Sequence, residues 1–466
     1  MMEASQNVRN LLTGTITNAP HIPRGAAFLD SGDMIRNPVH VFEKYRARLG
    51  PTFTFHFGGA QRAIVSTEPD FIQHVLQKNQ TNYKKSDIQV KRMGEFQGQG
   101  LLNSHGQHWL RQRRFVAQSF LRDRLAKRVP AQRRVLEQSM SHFVRQVEHG
   151  PVDVYQQMVR FTLRIVGGSL FGKELEDEEL EQLALAISKI QGFIVRQIVQ
   201  PYKIPWFRIS GQSAHYQQIR IDADKIVRAY VKARARRVQH GGGDGDVLQF
   251  MLETPYSDTG EKMDHEQVLT EILQLLVAGN ETSSTALAWA FYLLARHPKY
   301  IGKIRQEITQ TFGDGPVDFD GLQRLQLTTQ VLKESMRIYP SFWMIDRVAV
   351  DDDEICGVRI PAGAMVIPYI YGTHRNTDFW QDPETFDPSR FEPARAKQRH
   401  SFAHIPFGGG PRVCVAARMA MTQMLMILVG VVRNYDFSLA TDGPVDIDPM
   451  MILRPNKAMN MRFVRV

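Results

Sequence analysis

Residues 265–296 constrain the fold more than any other segment. Asp264 and Gln267 can form a capping pair at one end, Pro298 stops the pattern at the other, and apolar residues recur at helical spacing through LTEILQLLVAG and TALAWAFYLLA. At 1.5 Å per residue such a helix runs about 50 Å, enough to cross a whole domain. Its centre, AGNETSST at 278–285, sets glycine, asparagine, glutamate, threonine and serine where helix propensity and desolvation both oppose them. Local rule-breaking of this kind often marks a functional site, although a polar stripe hydrogen-bonded to another helix also explains it.

Helix-period spacing recurs near 107–148, 153–170, 178–200, 214–239, 298–312 and 322–338. Residues 51–66 read as a hairpin turning at Gly58 and Gly59, and short strands return near 344–350, 358–370 and the C-terminus. The fold class is therefore mainly α with small β-sheets. No solenoid-period repeat and no domain linker interrupt the 466 residues, which read as a single domain; the one low-complexity patch, GGGDGD at 241–246, reads as a surface turn. The apolar run 419–432 is too short to span a bilayer and contains Gln423, so a buried core helix is expected there. The N-terminal residues lack the pattern of a signal peptide, and a cytoplasmic protein without a membrane span is expected.

Two cysteines, Cys356 and Cys414, exclude a disulfide framework, a four-cysteine zinc site and a four-thiolate iron–sulfur cluster. A net charge of +10 fits nucleic acid, a membrane surface or an acidic protein. Nucleic acid is disfavoured, because the basic stretches 228–240 and 109–135 carry no aromatic interleaving and no recognition module. A Walker loop, a Gly-x-Ser-x-Gly elbow and a two-histidine zinc helix are all missing.

The segment FGGGPRVCVA at 407–416 is a tight glycine loop that delivers Cys414 to a helix start, where amides and the helix dipole favour a thiolate, and Arg412 adds a positive charge. Its Phe407, Gly408, Gly410, Arg412 and Cys414 resemble the haem-binding loop of the cytochrome P-450 haem-thiolate monooxygenases. The resemblance extends from the hairpin near residue 51 to LRP at 453–455, and one departure is Ala416, where many members carry glycine.

That resemblance implies haem b as cofactor, with Cys414 as the axial ligand of its iron. AGNETS resembles the oxygen-activating motif, implying that Gly279 leaves space above the iron and that Glu281 and Thr282 act as an acid–alcohol pair. A hydroxyl bonding back to its own helix also loosens one turn there. Of three Glu-x-x-Arg matches, Glu43–Arg46, Glu334–Arg337 and Glu392–Arg395, only the second sits in a strong helical pattern closed by Pro340; with Arg390 in FDPSRF it resembles the family's structural triad. HWLRQRR resembles the helix whose tryptophan and arginine hold the haem propionates, which implies Trp109 and Arg113 for that role, with Arg347 and Arg412 completing the set. Arg111, Arg114, Arg122 and Arg124 read as a solvated basic face.

Val277, Ala278, Phe342, Trp343 and Met344 are the expected substrate-pocket residues, capped by GFIVRQIVQPYKIPWF. The implied reaction is monooxygenation of a C–H bond of a small lipophilic substrate, such as a fatty acid, terpenoid or carotenoid. It would use dioxygen and electrons from an acidic ferredoxin or flavodoxin with its reductase, the chain acting as a monomer. A peroxide-driven peroxygenase and a non-catalytic haem sensor are the alternatives; neither needs the Glu281–Thr282 pair.

Overall fold

The computed structural model describes residues 17–466 apart from 58–60, 173–176, 241, 243–244 and 442. Its longer helices are α1 (Gly106–Ser119), α2 (Arg122–Glu148), α3 (Val154–Phe171), α4 (Asp177–Val199), α5 (Gln212–Gln239), α6 (His265–Arg296), α7 (Lys299–Phe312), α8 (Gln326–Ile338) and α9 (Ala417–Val432). Together they form a mainly helical domain with small sheets at its margins, as expected.

Helix α6 begins and ends where its sequence says. The Asp264 side chain accepts from the Gln267 amide at 2.9 Å, and the helix stops at Arg296 before Pro298. Helices α3, α5, α8 and α9 surround it. Leu287, Ala288, Trp289, Phe291 and Leu294 are fully buried in the main core, so α6 is the axis around which the domain packs. Helix α9 is buried on all sides from Thr422 to Val429, as its uniform apolarity requires. Among the described residues no helix is long and apolar enough to cross a membrane.

Two helical expectations are corrected. The 107–148 segment divides into α1 and α2 because Leu121 adopts an extended backbone, ψ 149°, while Phe120 turns inward to the core. Leu325, also extended, separates the short helix Phe319–Arg324 from α8.

Strands β1 (Thr52–Phe57) and β2 (Gln61–Ser66) form the expected antiparallel hairpin, in register from Thr52↔Ser66 to Phe57↔Gln61; its turn at Gly58 and Gly59 lies outside the described residues. A five-stranded sheet runs β1-β2-β8-β5-β3, with β3 (Tyr83–Lys84), β5 (Arg347–Ala349) and β8 (Met365–Pro368), and only β2–β8 is parallel. Smaller sheets pair β4 (Val152–Asp153) and β9 (Tyr435–Leu439) with β12 (Asn460–Arg465), β6 (Asp353–Ile355) with β7 (Val358–Ile360), and β10 (Ile447–Pro449) with β11 (Leu453–Pro455). A second core of Phe42, Phe53, Phe55, Trp343 and Tyr369 fills one face of the main sheet. Of the 241–246 patch, 241, 243 and 244 lie outside the described residues.

Candidate active site

The loop before α9 is shaped by glycine and aimed by backbone hydrogen bonds. Gly408 and Gly410 have φ of +76° and +66°, and a Cβ on Gly410 would fall 1.8 Å from the Leu76 carbonyl oxygen. Only glycine lets the loop lie against the segment His74–Lys78. The Cys414 amide donates to the Phe407 carbonyl at 2.9 Å, closing the loop on itself. Ile405, just upstream, is anchored by its amide to Nε2 of His374, which burial and the guanidinium groups of Arg337 and Arg375 push down to about 3 and so keep neutral.

Cys414 ends this loop with its side chain accessible, although the surrounding protein is dense. Burial pushes its thiol pKa up, while the Ala416 amide and the positive charge of Arg113 pull it down. Burial dominates, so the expectation that the helix start alone favours a thiolate is corrected: α9 begins three residues later. A bound metal ion would deprotonate a coordinating thiol outright. A thiol enclosed by protein yet open on one side lies on the wall of a cleft.

Four cations form a chain of neighbours that reaches it: Arg113 acts on the Cys414 thiol and on Arg412, and Arg412 and Arg347 act on Lys85. The Arg347 field, after burial, pushes Lys85 down to about 7 and Arg412 down to about 10, with smaller contributions from Arg412 to Lys85 and from Arg113 to Arg412. Arg347 is itself 7% exposed and pushed down by burial. Arg412 lies over the Trp109 ring at 4.0 Å and donates to the Ser104 carbonyl at 3.2 Å. Asp346 is the acid whose field supports both Lys85 and Arg347. Cations that weaken one another in a buried place await an anion. The two carboxylates of haem, with iron against Cys414, fit this arrangement. Among the described residues no cluster of three or more His, Cys, Asp or Glu could hold a metal ion by itself, so one thiolate is what the site offers as a side-chain ligand.

Helix α6 carries the polar centre expected from its sequence, with Asn280, Glu281, Ser283 and Ser284 buried. Thr282 donates its hydroxyl to the Ala278 carbonyl at 2.7 Å, the expected back-bond, and the Thr282 carbonyl accepts from Ser341 at 2.8 Å. Glu281 pairs instead with Arg454 on β11 through Oε1, while Oε2 is buried without a partner. Glu281 and Thr282 thus turn to different partners, since adjacent helical side chains diverge by about 100°. A Cβ on Gly279 would meet Val166 of α3 at 3.2 Å, so the missing side chain lets α6 and α3 pack closely. Asn280 accepts from Thr162 of α3 at 2.6 Å, which makes part of the polar stripe interhelical.

A cavity of about 100 Å³ opens between α4, α5 and α6, with Phe96, Ile190, Leu269, Leu273 and Val277 as its apolar lining. Arg220–Asp224, at 3.5 Å, and Arg228–Glu266 pair within the same lining, which Gln191 and Gln274 also join. Val277 thus lines a cleft as expected, and Phe193 packs beside it in a cluster with Phe96 and Ile190. Trp343 does not. It is buried in the second core with its indole donating to the Met450 carbonyl, because an indole ring gains more from the aromatic group around Phe42. Met344 packs on the same core, and Phe342 is 40% exposed.

Glu334 and Arg337 form a fully buried bidentate pair at 2.7 and 2.8 Å, with Arg390 at 3.4 Å from Glu334. Glu43–Arg46 is a partly exposed surface pair, and Arg395 turns to Asp387. Arg111 and Arg122 pair with exposed acids, as a solvated basic face should. Lys85 and Arg454 escaped sequence reasoning, since no local pattern marks a lone cation whose partners come from distant segments.

The sequence model of the family described as Cytochrome P450 matches residues 20–463. Cytochrome P450 132 of Mycobacterium tuberculosis is 28% identical over 439 residues, covering 90% of this chain and 91% of the relative. Cyclooctat-9-en-7-ol 5-monooxygenase of Streptomyces melanosporofaciens is 26% identical over 377 residues, 81% of this chain and 80% of the relative. Cytochrome P450 3A18 of Rattus norvegicus is 26% identical over 423 residues, with 88% and 84% covered.

Proposed function

Because the chain belongs to the cytochrome P450 family and is a haem-dependent monooxygenase, we propose that it hydroxylates a C–H bond of a lipophilic substrate and that the Cys414 thiolate would hold the haem iron. The observation that carries this reading is the accessible Cys414 thiol in the field of Arg113, which also acts on Arg412, itself linked to Arg347 and Lys85. When bound, haem supplies the activation of dioxygen, with electrons delivered one at a time by a separate redox protein.

The chain's own residues hold, orient and carry protons. Arg113, Arg347, Arg412 and Lys85 would neutralise the haem carboxylates, and the Trp109 ring supports the Arg412 guanidinium from one face. Thr282 Oγ1 is the donor that can leave the Ala278 carbonyl and hand a proton into the groove of α6. Glu281 Oε2, buried without a partner, is the second atom that can hold a proton on this path. The Glu334–Arg337–Arg390 triad fixes the scaffold behind Cys414 and takes no part in the chemistry.

The apolar lining of the α4–α5–α6 cleft supports a fatty acid, terpenoid or carotenoid. The relative named for cyclooctat-9-en-7-ol supports a hydrocarbon-rich substrate. An acidic ferredoxin or flavodoxin suits the charge of +10 and the exposed Arg418, four residues after Cys414, with the exposed Arg114 next to Arg113 on α1.

The test is the absorbance of the dithionite-reduced protein with carbon monoxide, in wild type and Cys414→Ser. A strongly red-shifted carbonyl Soret band that the substitution abolishes is the expected result. A histidine-type carbonyl band in both proteins would reject Cys414 as the ligand.

A further inference from the structure

Residues 98–104 form a strap between the short helix Gly94–Gln97 and α1, without regular structure of its own. Its backbone is nevertheless held from two opposite sides. From α6, the Glu271 carboxylate accepts the Leu101 amide at 3.1 and 3.0 Å, and Gln274 Oε1 accepts the Leu102 amide at 2.8 Å. Gln274 Nε2 donates to the Gly98 carbonyl at 3.2 Å, and Gln267 donates both to the Gln99 carbonyl and to Glu271. From the cation cluster, Lys85 donates to the Leu102 carbonyl and Arg412 to the Ser104 carbonyl.

Gln267, Glu271 and Gln274 lie four and three residues apart, on one face of α6. Glu271 is fully buried, and burial pushes its carboxyl up to about 7 against the pull of the Leu101 amide. A Cβ on Gly100 would stand 2.8 Å from Gln274 Oε1, so glycine is what lets the strap lie so close. A buried carboxylate and a buried amide are costly in a helix, and nothing in the proton path uses them.

We propose that Glu271 and Gln274 are positioning residues which, through the strap, set the Arg412 end of the haem cradle. The proposal rests on the reading of Arg412 as a partner of a haem carboxylate. The strap has the geometry for this: the Leu102 amide is fixed by α6 and its carbonyl by Lys85, so displacement on one side is felt on the other.

The test uses the haem-loaded protein and measures haem transfer to excess apomyoglobin. Gln274→Ala, Glu271→Ala and Arg412→Lys are each expected to speed haem loss about tenfold, with Glu271→Gln restoring it to within about threefold of wild type because an acceptor remains. Gln274→Ala combined with Arg412→Lys should lose haem no faster than the worse single variant, since both act through one strap. Independent effects that multiply to about a hundredfold, or an unchanged rate in Gln274→Ala, would overturn the proposal.

Should Gln274→Ala yield no folded protein, amide exchange carries the test in Arg412→Lys. The Leu101 and Leu102 amides should then exchange about tenfold faster than in wild type, although Arg412 touches neither, and unchanged exchange would refute the coupling. Failure of the carbon monoxide band in wild type would instead reject Cys414 ligation, while the exchange result judges the strap separately.

Discussion

The cysteine side and the helix-centre side of the candidate site are built on different plans. Around Cys414, geometry is written into a few consecutive residues: Gly408 and Gly410 turn the chain, and Phe407 receives the Cys414 amide. Glu334 and Arg337 likewise meet within one helical turn. Around the centre of α6, apart from the Thr282–Ala278 back-bond, the directing contacts come from afar. Glu281 turns toward Arg454 on β11, Thr282 is steadied by Ser341, and Leu101 is held by Glu271 from 170 residues away. A short motif can therefore deliver a ligand, whereas a group whose orientation depends on remote partners is defined only once the domain closes.

The strongest test of that contrast uses one motif in two settings. Removing the buried acid by Glu334→Ala leaves Arg337 and Arg390 uncompensated and should cost about 3–5 kcal/mol in chemical denaturation. Retention of near wild-type stability would show that the cysteine side does not depend on its local pair.

On the other side, Glu271 provides a pH signature. Its carboxyl pKa is raised from 4.5 to about 7 in the folded protein, so its contribution is fully present below 4.5 and is lost as pH rises through about 7. The loss amounts to about 3 kcal/mol, and Glu271→Gln should remove it, flattening the wild-type decline in unfolding free energy between pH 4.5 and 7. Parallel profiles for the two proteins would mean that the helix side carries no buried acid.

Thr282→Ala should leave haem content and the carbon monoxide band intact while lowering product formed per electron consumed, with turnover down about a hundredfold. Unchanged coupling would remove Thr282 from the proton path. The smallest effect is expected for Glu43→Ala: the same Glu-x-x-Arg spacing, partly exposed, should change stability by no more than about 0.5 kcal/mol.

Much of this molecule is legible in its residues. The span of α6, its Asp264 cap, the buried character of α9 and the β1–β2 hairpin follow from periodicity, capping and turn chemistry, all of which act within a few residues. The triad was separable from its two look-alikes because helical context is local too. Less legible were the break at Leu121, where an exposed leucine leaves the helix while Phe120 turns to the core, and the role of Trp343, since an aromatic residue after a helix suits a pocket and a core equally.

The helical class and the loop that presents Cys414 follow from the residues alone, because glycine torsions and near-neighbour hydrogen bonds need no distant partner. Folding alone sets Gly279 against Val166, commits Glu281 to Arg454, and brings Lys85 to Arg347 and Arg412. Those outcomes depend on charge and packing between segments far apart in the chain, whose energies take effect only when folding brings them together.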